Sequence, residues 1–384
     1  MERLTLYATA SRGTEDLLAE ELTELGAKRV RRDRGGVRFA ANLLEALRIC
    51  VWTRIAMRVL YPLVEIEARG AEGLYTAAAS VPWEEYLTRS STFAVEAALK
   101  ESEHAHSGFV ALKIKDALVD RLREKLGGRP DVDTHHPDVQ VVARLAGSQL
   151  SLSLDLCGDP LFRRGYRRGS FTAPLKETLA AAILRASGYT GEEPLWDPLC
   201  GSGTLLVEGA WIAMRRAPNG GRPLGIERWP HLGAQAREAL SELRAEAKAQ
   251  EREPPFPILG SDKSEDAIAA AKLNAKAARL GRAVQLTVAD ATAPLEAVAI
   301  PSEPGVLVTN PPYGERLTGG GNKGMKSFYF KLGERLNAVS GWRRFVLAGH
   351  PAFESAFHAR PSSRRAMWNG PIECTLLGYP PSFP

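Results

Sequence analysis

The 384-residue sequence has no stretch approaching about 18 consecutive apolar residues, which argues against a membrane-spanning helix. Its first residues, MERLTLYATASRGTEDLLAEEL, carry acids early and have no long apolar core. They do not read as a signal peptide, and the cytoplasm is the expected compartment. Cysteine is scarce: Cys50, Cys157, Cys200 and Cys374 lie far apart and form no CxxC pair, as suits reduced thiols. His104/His106 and His135/His136 lack cysteine partners at zinc spacing, so they read as solvated loops and no metal is expected. The turn Gly201-Ser202-Gly203 is not followed by the Lys-Ser/Thr of a phosphate-binding loop, which disfavours nucleotide hydrolysis. It also lacks a full GxGxxG. No internal repeat of solenoid period is present.

What is present begins with length and charge. The chain is too long for one typical core, so two or three domains are expected. The net charge is only +5, but the cations are clustered. KRVRRDRGGVR spans Lys28–Arg38, FRRGYRR holds Arg163, Arg164, Arg167 and Arg168, and MRRAPNGGRP adds Arg215, Arg216 and Arg222. Such clusters suit phosphate contacts, although each also suits a solvated turn.

The first part reads as α+β units. LTLYATA, a helix with Leu18, Leu22 and Leu25 on one face, two short strands around Gly35-Gly36, the helix NLLEALRICVWTRIAMR and the strand VLYPLVEIEA give the order βαββαβ, a ferredoxin-like half. A second unit runs through AEGLYTAAAS, TFAVEAAL, FVALKIKDALVDRLREKLG, VQVVARLAG and SQLSLSLDLCG, with Gly127-Gly128 closing the long helix. An Arg-, Gly- and Ser-rich linker follows. Beyond it strands and helices alternate, the pattern of a parallel doubly wound sheet. QAREALSELRAEAKAQEREPPFP reads as a charged, exposed insertion.

In such a sheet ligands bind outside the carboxyl ends of the strands. WDPLCGSGTLLVEGA places Asp197 at one strand end before the glycine turn. ILGSDKSEDAIAAAKLNA places Asp262 at the next, where a ribose diol would be held, although Asp262 or Ser264 equally suits a helix cap. LTVADAT places Asp290 at a third, as an acceptor for an exocyclic amine or as an ordinary turn aspartate. VLVTNPPYGERL ends the fourth on Asn310-Pro311-Pro312-Tyr313. Two prolines cannot donate to a ladder, so the strand stops there. The combination is far more specific than any member. Cys200 suits packing better than covalent catalysis, Tyr166 suits either stacking or packing, and Trp196 and Trp211 read as core.

These strand ends together resemble those of class I S-adenosylmethionine-dependent methyltransferases, and Asn310–Tyr313 is similar to the motif of the amino-group methylating subset. With LFRRGYRR and APLKETLAAAIL added, the chain resembles THUMP-domain RNA guanine-N2 methyltransferases of the RlmL type, which act on 23S rRNA. The resemblance implies an α/β chain. A C-terminal Rossmann-like class I methyltransferase domain, with a mostly parallel seven-stranded sheet, would follow an N-terminal α+β ferredoxin-like and THUMP region. The expected division is 1–66 ferredoxin-like, 67–158 THUMP, 159–175 linker and 176–384 methyltransferase. Asp197, Gly201 and Gly203 would hold the methionine part of S-adenosyl-L-methionine, Asp262 the ribose and Asp290 the adenine, with Leu199 and Thr204 also binding the cofactor. Asn310, also near the cofactor, would accept a bond from the target amine with the Pro311 carbonyl, Pro312 would stiffen the turn, and Tyr313 would stack on the base. Arg163, Arg164, Arg167, Arg168 and Lys176 would contact RNA, either 23S rRNA or a pre-ribosomal particle, and the protein would act as a monomer without a membrane. A second methyltransferase fused at the C-terminus of some relatives is expected to be absent. Alternatives are a tRNA guanine-N2 methyltransferase of the same architecture, a DNA or protein amino-methyltransferase, and a non-catalytic RNA-binding assembly factor.

Overall fold

The computed structural model describes residues 3–168, 175–294, 298–313 and 321–382. Gly169–Pro174 of the linker and Gly314–Leu317 of the proline motif lie outside the described residues. The chain forms two compact units, residues 1–10, 19–161 and 221–246, and residues 11–18, 162–220 and 247–384.

The chain opens with β1 (Leu4–Thr9), α1 (Glu15–Glu24), β2 (Lys28–Asp33), β3 (Gly36–Ala41), α2 (Leu43–Trp52) and β4 (Arg58–Glu67), the expected βαββαβ order, and all but residues 11–18 of this stretch belong to the first unit. It continues with α3 (Gly70–Ala79), β5 (Thr92–Lys100), α4 (Ser107–Leu126), β6 (Asp131–Val132), β7 (Val139–Ala146) and β8 (Gln149–Asp155). These strands form one eight-stranded sheet, ordered β2-β3-β1-β4-β8-β7-β5-β6. The join is β4, which pairs with β1 on one edge and with β8 along Leu60–Glu67 on the other. Pro62 is tolerated in this central strand because the register shifts there, so its missing N–H breaks no regular ladder. Asn42 closes a capping box with Glu45 at the start of α2, and Gly127, at φ +68°, ends α4.

Residues 221–246 also belong to this unit. They carry most of α7 (Gly233–Ala249), whose Ala236, Leu240, Leu243 and Ala247 are buried. The expectation of an exposed insertion is therefore corrected. The stripe recurs at helical spacing, but six charged side chains in the same helix hide it from a reading of composition.

The second unit contains α5 (Glu177–Ala186), β9 (Leu195–Asp197), α6 (Thr204–Ala213), β10 (Ile258–Asp262), α8 (Glu265–Ala277) and β11 (Val284–Val288). After these come β12 (Val306–Thr309), α9 (Gly321–Asn337), β13 (Arg343–Ala348), α10 (Phe353–Ala356), β14 (Ser363–Asn369) and β15 (Ile372–Tyr379). Its sheet runs β11-β10-β9-β12-β13-β15-β14; the first five are parallel, and β15 is antiparallel to both neighbours. Strand order reverses between β9 and β12, so their carboxyl ends open the crevice where doubly wound sheets bind ligands. Trp196 and Trp342, both buried, meet edge to face with centroids 6.3 Å apart beneath it.

Candidate active site at the strand ends

Asp197 ends β9 and is 2% exposed. Its Oδ1 accepts from the Thr309 hydroxyl at 2.7 Å and from the Leu199 amide at 3.1 Å, which locks the last residue of β12 to the turn after β9. Burial pushes its carboxyl up to about 7, although those two bonds pull the other way. An acid so placed is poised to gain from a cationic partner. Burial also raises the Cys200 thiol well above its ordinary value, consistent with packing and against a thiolate nucleophile.

The turn is braced from β10. The Cys200 amide donates to the Ser261 carbonyl at 2.9 Å and the Gly201 amide to Asp262 Oδ2 at 3.0 Å. Ser264, not Asp262, caps α8, accepting from the Ala267 amide at 3.2 Å, while Asp262 Oδ1 takes the Ser264 amide at 3.0 Å. Gly203 starts α6 at φ +80°, and a Cβ there would lie 3.2 Å from the Ala271 Cβ. A Cβ on Gly201, by contrast, would meet nothing within 4 Å, so its backbone is open to a ligand. Thr204 is buried in the first turn of α6, and Leu199 is half-buried. Asp290 is exposed two residues beyond β11; burial raises its carboxyl, but bonds from the Thr292 amide and hydroxyl, both 2.8 Å, hold it below the usual value.

Asn310 follows β12 directly. Its Oδ1 is buried and has no hydrogen-bond partner among the described residues. A buried acceptor without a donor costs about 1–3 kcal/mol, so this atom marks a place where a donor is missing. The next turn is stiffened by Tyr329, whose hydroxyl donates to the Pro312 carbonyl at 2.9 Å. Tyr313 is only 9% exposed: its ring lies over Gly349, where a Cβ would come 2.6 Å from it, and Asn369 Nδ2 donates to its hydroxyl. The ring is thus mostly packed against protein, leaving little of the open face expected of a base-stacking wall.

The Arg-rich stretch divides by burial. Arg163, Arg168 and Lys176 are exposed, with Lys176 over the Phe162 ring at 5.0 Å. Arg167 donates to Glu177 Oε1 at 2.8 Å and to the Leu175 carbonyl at 3.1 Å. The Arg164 side chain is fully buried, 3.6 Å from the equally buried Glu208 and bonded to Asn219 Oδ1 at 2.8 Å. The RNA contact expected of Arg164 is therefore corrected to an internal strut, because a side chain with no exposed surface offers nothing to a phosphate. Tyr166 packs too, its hydroxyl donating to Glu208 at 3.3 Å and its ring edge-on to Trp211. Arg164→Ala is expected to lower folding stability by about 3–5 kcal/mol, since Glu208 would keep a buried charge without its partner. Thermal unfolding measures this; wild-type melting with weakened RNA binding would return Arg164 to the surface role.

Two site residues escaped the sequence reading. Thr309 is one. The other is Asn274 on α8, fully buried, whose Oδ1 accepts from the Arg168 amide at 2.7 Å and whose Nδ2 donates to the Ser202 carbonyl at 2.9 Å. It joins the linker to the glycine turn. Its signal was an asparagine at i+7 and i+3 from the buried Ala267 and Ala271, a polar residue on an apolar helical face.

Five parallel strands, a β9/β12 switch point, an open glycine turn and acids on adjoining strand ends define a Rossmann-like class I methyltransferase fold. Residues 164–377 match the RMKL-like methyltransferase domain, residues 68–155 the THUMP domain and residues 5–60 the RlmL ferredoxin-like domain. The chain belongs to the RMKL-like methyltransferase family. It is 42% identical to "Ribosomal RNA large subunit methyltransferase K/L" of Syntrophotalea carbinolica over 98% of this chain and 53% of that protein. It therefore spans about half the length of the K/L relatives it matches. It is 38% identical to "Putative RNA methyltransferase slr0064" of Synechocystis sp., over 97% of this chain and 96% of that one. Among solved structures, "SMU.472, a putative methyltransferase complexed with SAH" superposes with a TM-score of 0.88 at 29% identity, covering all of both chains. Among the described residues no helix is long and apolar enough to cross a membrane, and no group of three or more His, Cys, Asp or Glu could hold a metal ion.

Proposed function

We propose that the protein transfers a methyl group from S-adenosyl-L-methionine to the exocyclic N2 amine of a guanine in RNA, specifically 23S rRNA, leaving S-adenosyl-L-homocysteine. The observation that carries this reading is the buried Asn310 Oδ1, without a hydrogen-bond partner among the described residues, beside the β9/β12 switch point. An amide oxygen accepts but does not titrate, which suits an aromatic amine that must be oriented rather than deprotonated. The relatives' names, for an rRNA and an RNA methyltransferase, support RNA as the substrate.

The residues present fit the cofactor. The open backbone at Gly201, with Leu199, Gly203 and Thr204, allows close approach, and Asp197 would face the cofactor's ammonium. Asp262 spends one bond from each oxygen on the protein, leaving lone pairs for two ribose hydroxyls. Asp290 would accept from the adenine amine. When bound, the cofactor supplies an electrophilic methyl on a sulfonium. Asn310 Oδ1 and the Pro311 carbonyl would each take one hydrogen of the guanine amine, aiming its nitrogen at that methyl and drawing it toward a pyramidal form. Positioning and water exclusion do the work, and the proton departs to solvent after transfer. Pro312 and the Tyr329 bond keep the turn rigid, and Tyr313 would meet the base with what its packing leaves exposed. A paired guanine would be flipped out or melted. Arg163, Arg168 and Lys176, with the outer part of Arg167, would hold the RNA backbone.

We further place the protein in the cytoplasm as a monomer acting on rRNA or a pre-ribosomal particle. The proposed division is 1–66, 67–158, 159–175 and 176–384, with 221–246 folding into the first unit. The test is transfer of tritiated methyl onto 23S rRNA and tRNA lacking the modification, followed by nucleoside mapping. Label in N2-methylguanosine of 23S rRNA is expected. Label confined to tRNA would favour the tRNA enzyme, and cofactor binding without transfer to either would favour an assembly factor.

A further inference from the structure

We propose that the edge strand β2, with the bulge at Arg29, is a docking surface for the phosphate backbone of the RNA substrate; this rests on the RNA reading above. β2 ends the eight-stranded sheet, so one of its edges is unpaired among the described residues. Between Lys28 and Arg34, β2 and the turn after it carry five cations, all exposed, and a single acid, Asp33. That is an excess of four positive charges, against five for the whole chain.

None of Lys28, Arg29, Arg31, Arg32 and Arg34 has an acidic partner among the described residues. Other arginines of the same unit do: Arg38 pairs with Glu65 at 2.8 Å, Arg58 with Glu96 at 2.6 Å, Arg121 with Glu84 at 2.6 Å and Arg244 with Glu227 at 2.8 Å. Lys28–Arg34 is thus a contiguous run with five exposed cations that have no acidic partner among the described residues.

That edge is also arranged at a cost to folding. Arg31 stands directly across the ladder from Arg38, and like charges in that position repel. The β2–β3 register shifts between Lys28 and Arg31, and Arg29 within the shift adopts φ +51°, a left-handed conformation that costs any residue with a Cβ. Bulges of this kind re-aim side chains. An edge that needed only protection from strand pairing would be served by one or two charges. Four arginines, each a planar fork matched to phosphate oxygens, fit an extended polyanion better.

The probe is an unmodified 23S rRNA transcript, with binding measured between about 50 and 200 mM salt. In the Arg31→Gln/Arg32→Gln/Arg34→Gln variant of the 384-residue chain, the slope of log affinity against log salt is expected to shrink by about 2–3, at roughly 0.7–0.9 per lost contact. Affinity should fall at least about tenfold, as each lost contact removes a counterion-release term. Binding of S-adenosyl-L-homocysteine should not move. Arg29→Gly separates folding from docking: glycine suits φ +51°, so melting should hold or rise while RNA binding weakens. An unchanged slope in folded variants, with or without new self-association, would overturn the docking role alone. Salt-independent RNA binding by the wild-type protein would overturn it together with the RNA reading.

Discussion

Asn310→Ala is expected to cut methyl transfer by at least about 100- to 1000-fold, the range seen when one group preorganised for a transition state is removed. Binding of S-adenosyl-L-homocysteine should remain close to wild type, because the Gly201 turn, Asp197 and Asp262 are braced without Asn310. Alanine also removes a buried acceptor that has no donor among the described residues, so folding stability should hold or rise. Loss of rate with retained stability and retained cofactor binding is the signature of a positioning acceptor. Single-turnover transfer under saturating cofactor measures it, and a near wild-type rate would show that Asn310 Oδ1 does not engage the amine.

Asp197→Asn is expected to weaken cofactor affinity roughly 10- to 150-fold at pH 8, the loss of one strong charge-assisted bond. Asparagine Oδ1 can still accept from Thr309 and Leu199, so the turn should survive. The sign of the pH effect follows from the raised carboxyl. Its ordinary value is 3.8 and burial pushes it up to about 7, so the folded protein binds more protons than the unfolded chain between those values. Folding stability from this group therefore falls as pH rises through that window, and the cost is fully present above about 7. A cofactor ammonium demands the ionised form. Affinity should accordingly rise from pH 6 toward pH 8 with release of a proton, and Asp197→Asn should abolish that rise. Calorimetry in buffers of different ionisation heat reads both. A pH-independent wild-type affinity would remove Asp197 from the ammonium site.

The two substitutions differ in kind, because among the described residues Asp197 is satisfied by protein groups and Asn310 Oδ1 is not. Strand patterning placed both at carboxyl ends, and in the fold they sit at the neighbouring ends of β9 and β12. That much was legible because a parallel strand announces itself locally, as a short apolar run stopped by glycine or proline. The βαββαβ order of the first unit was legible for the same reason.

What the sequence by itself determined is the set of elements and the chemistry at their ends: Asp197, Asp262, Asp290 and Asn310, and the glycine turn between the first two. Only the tertiary structure decided who their partners are. It gave Asp197 to Thr309, 112 positions away, and made Asn274 the joint between Arg168 and Ser202. It buried Arg164 against Glu208, laid Tyr313 over Gly349, merged the N-terminal strands into one sheet and folded residues 221–246 into the first unit. The reason is physical. Periodicity and turn chemistry are set by neighbours within a few residues, whereas burial, charge pairing and hydrogen-bond satisfaction depend on which distant segment arrives. An arginine in a charged run has no property of its own that says whether a glutamate or a phosphate will meet it.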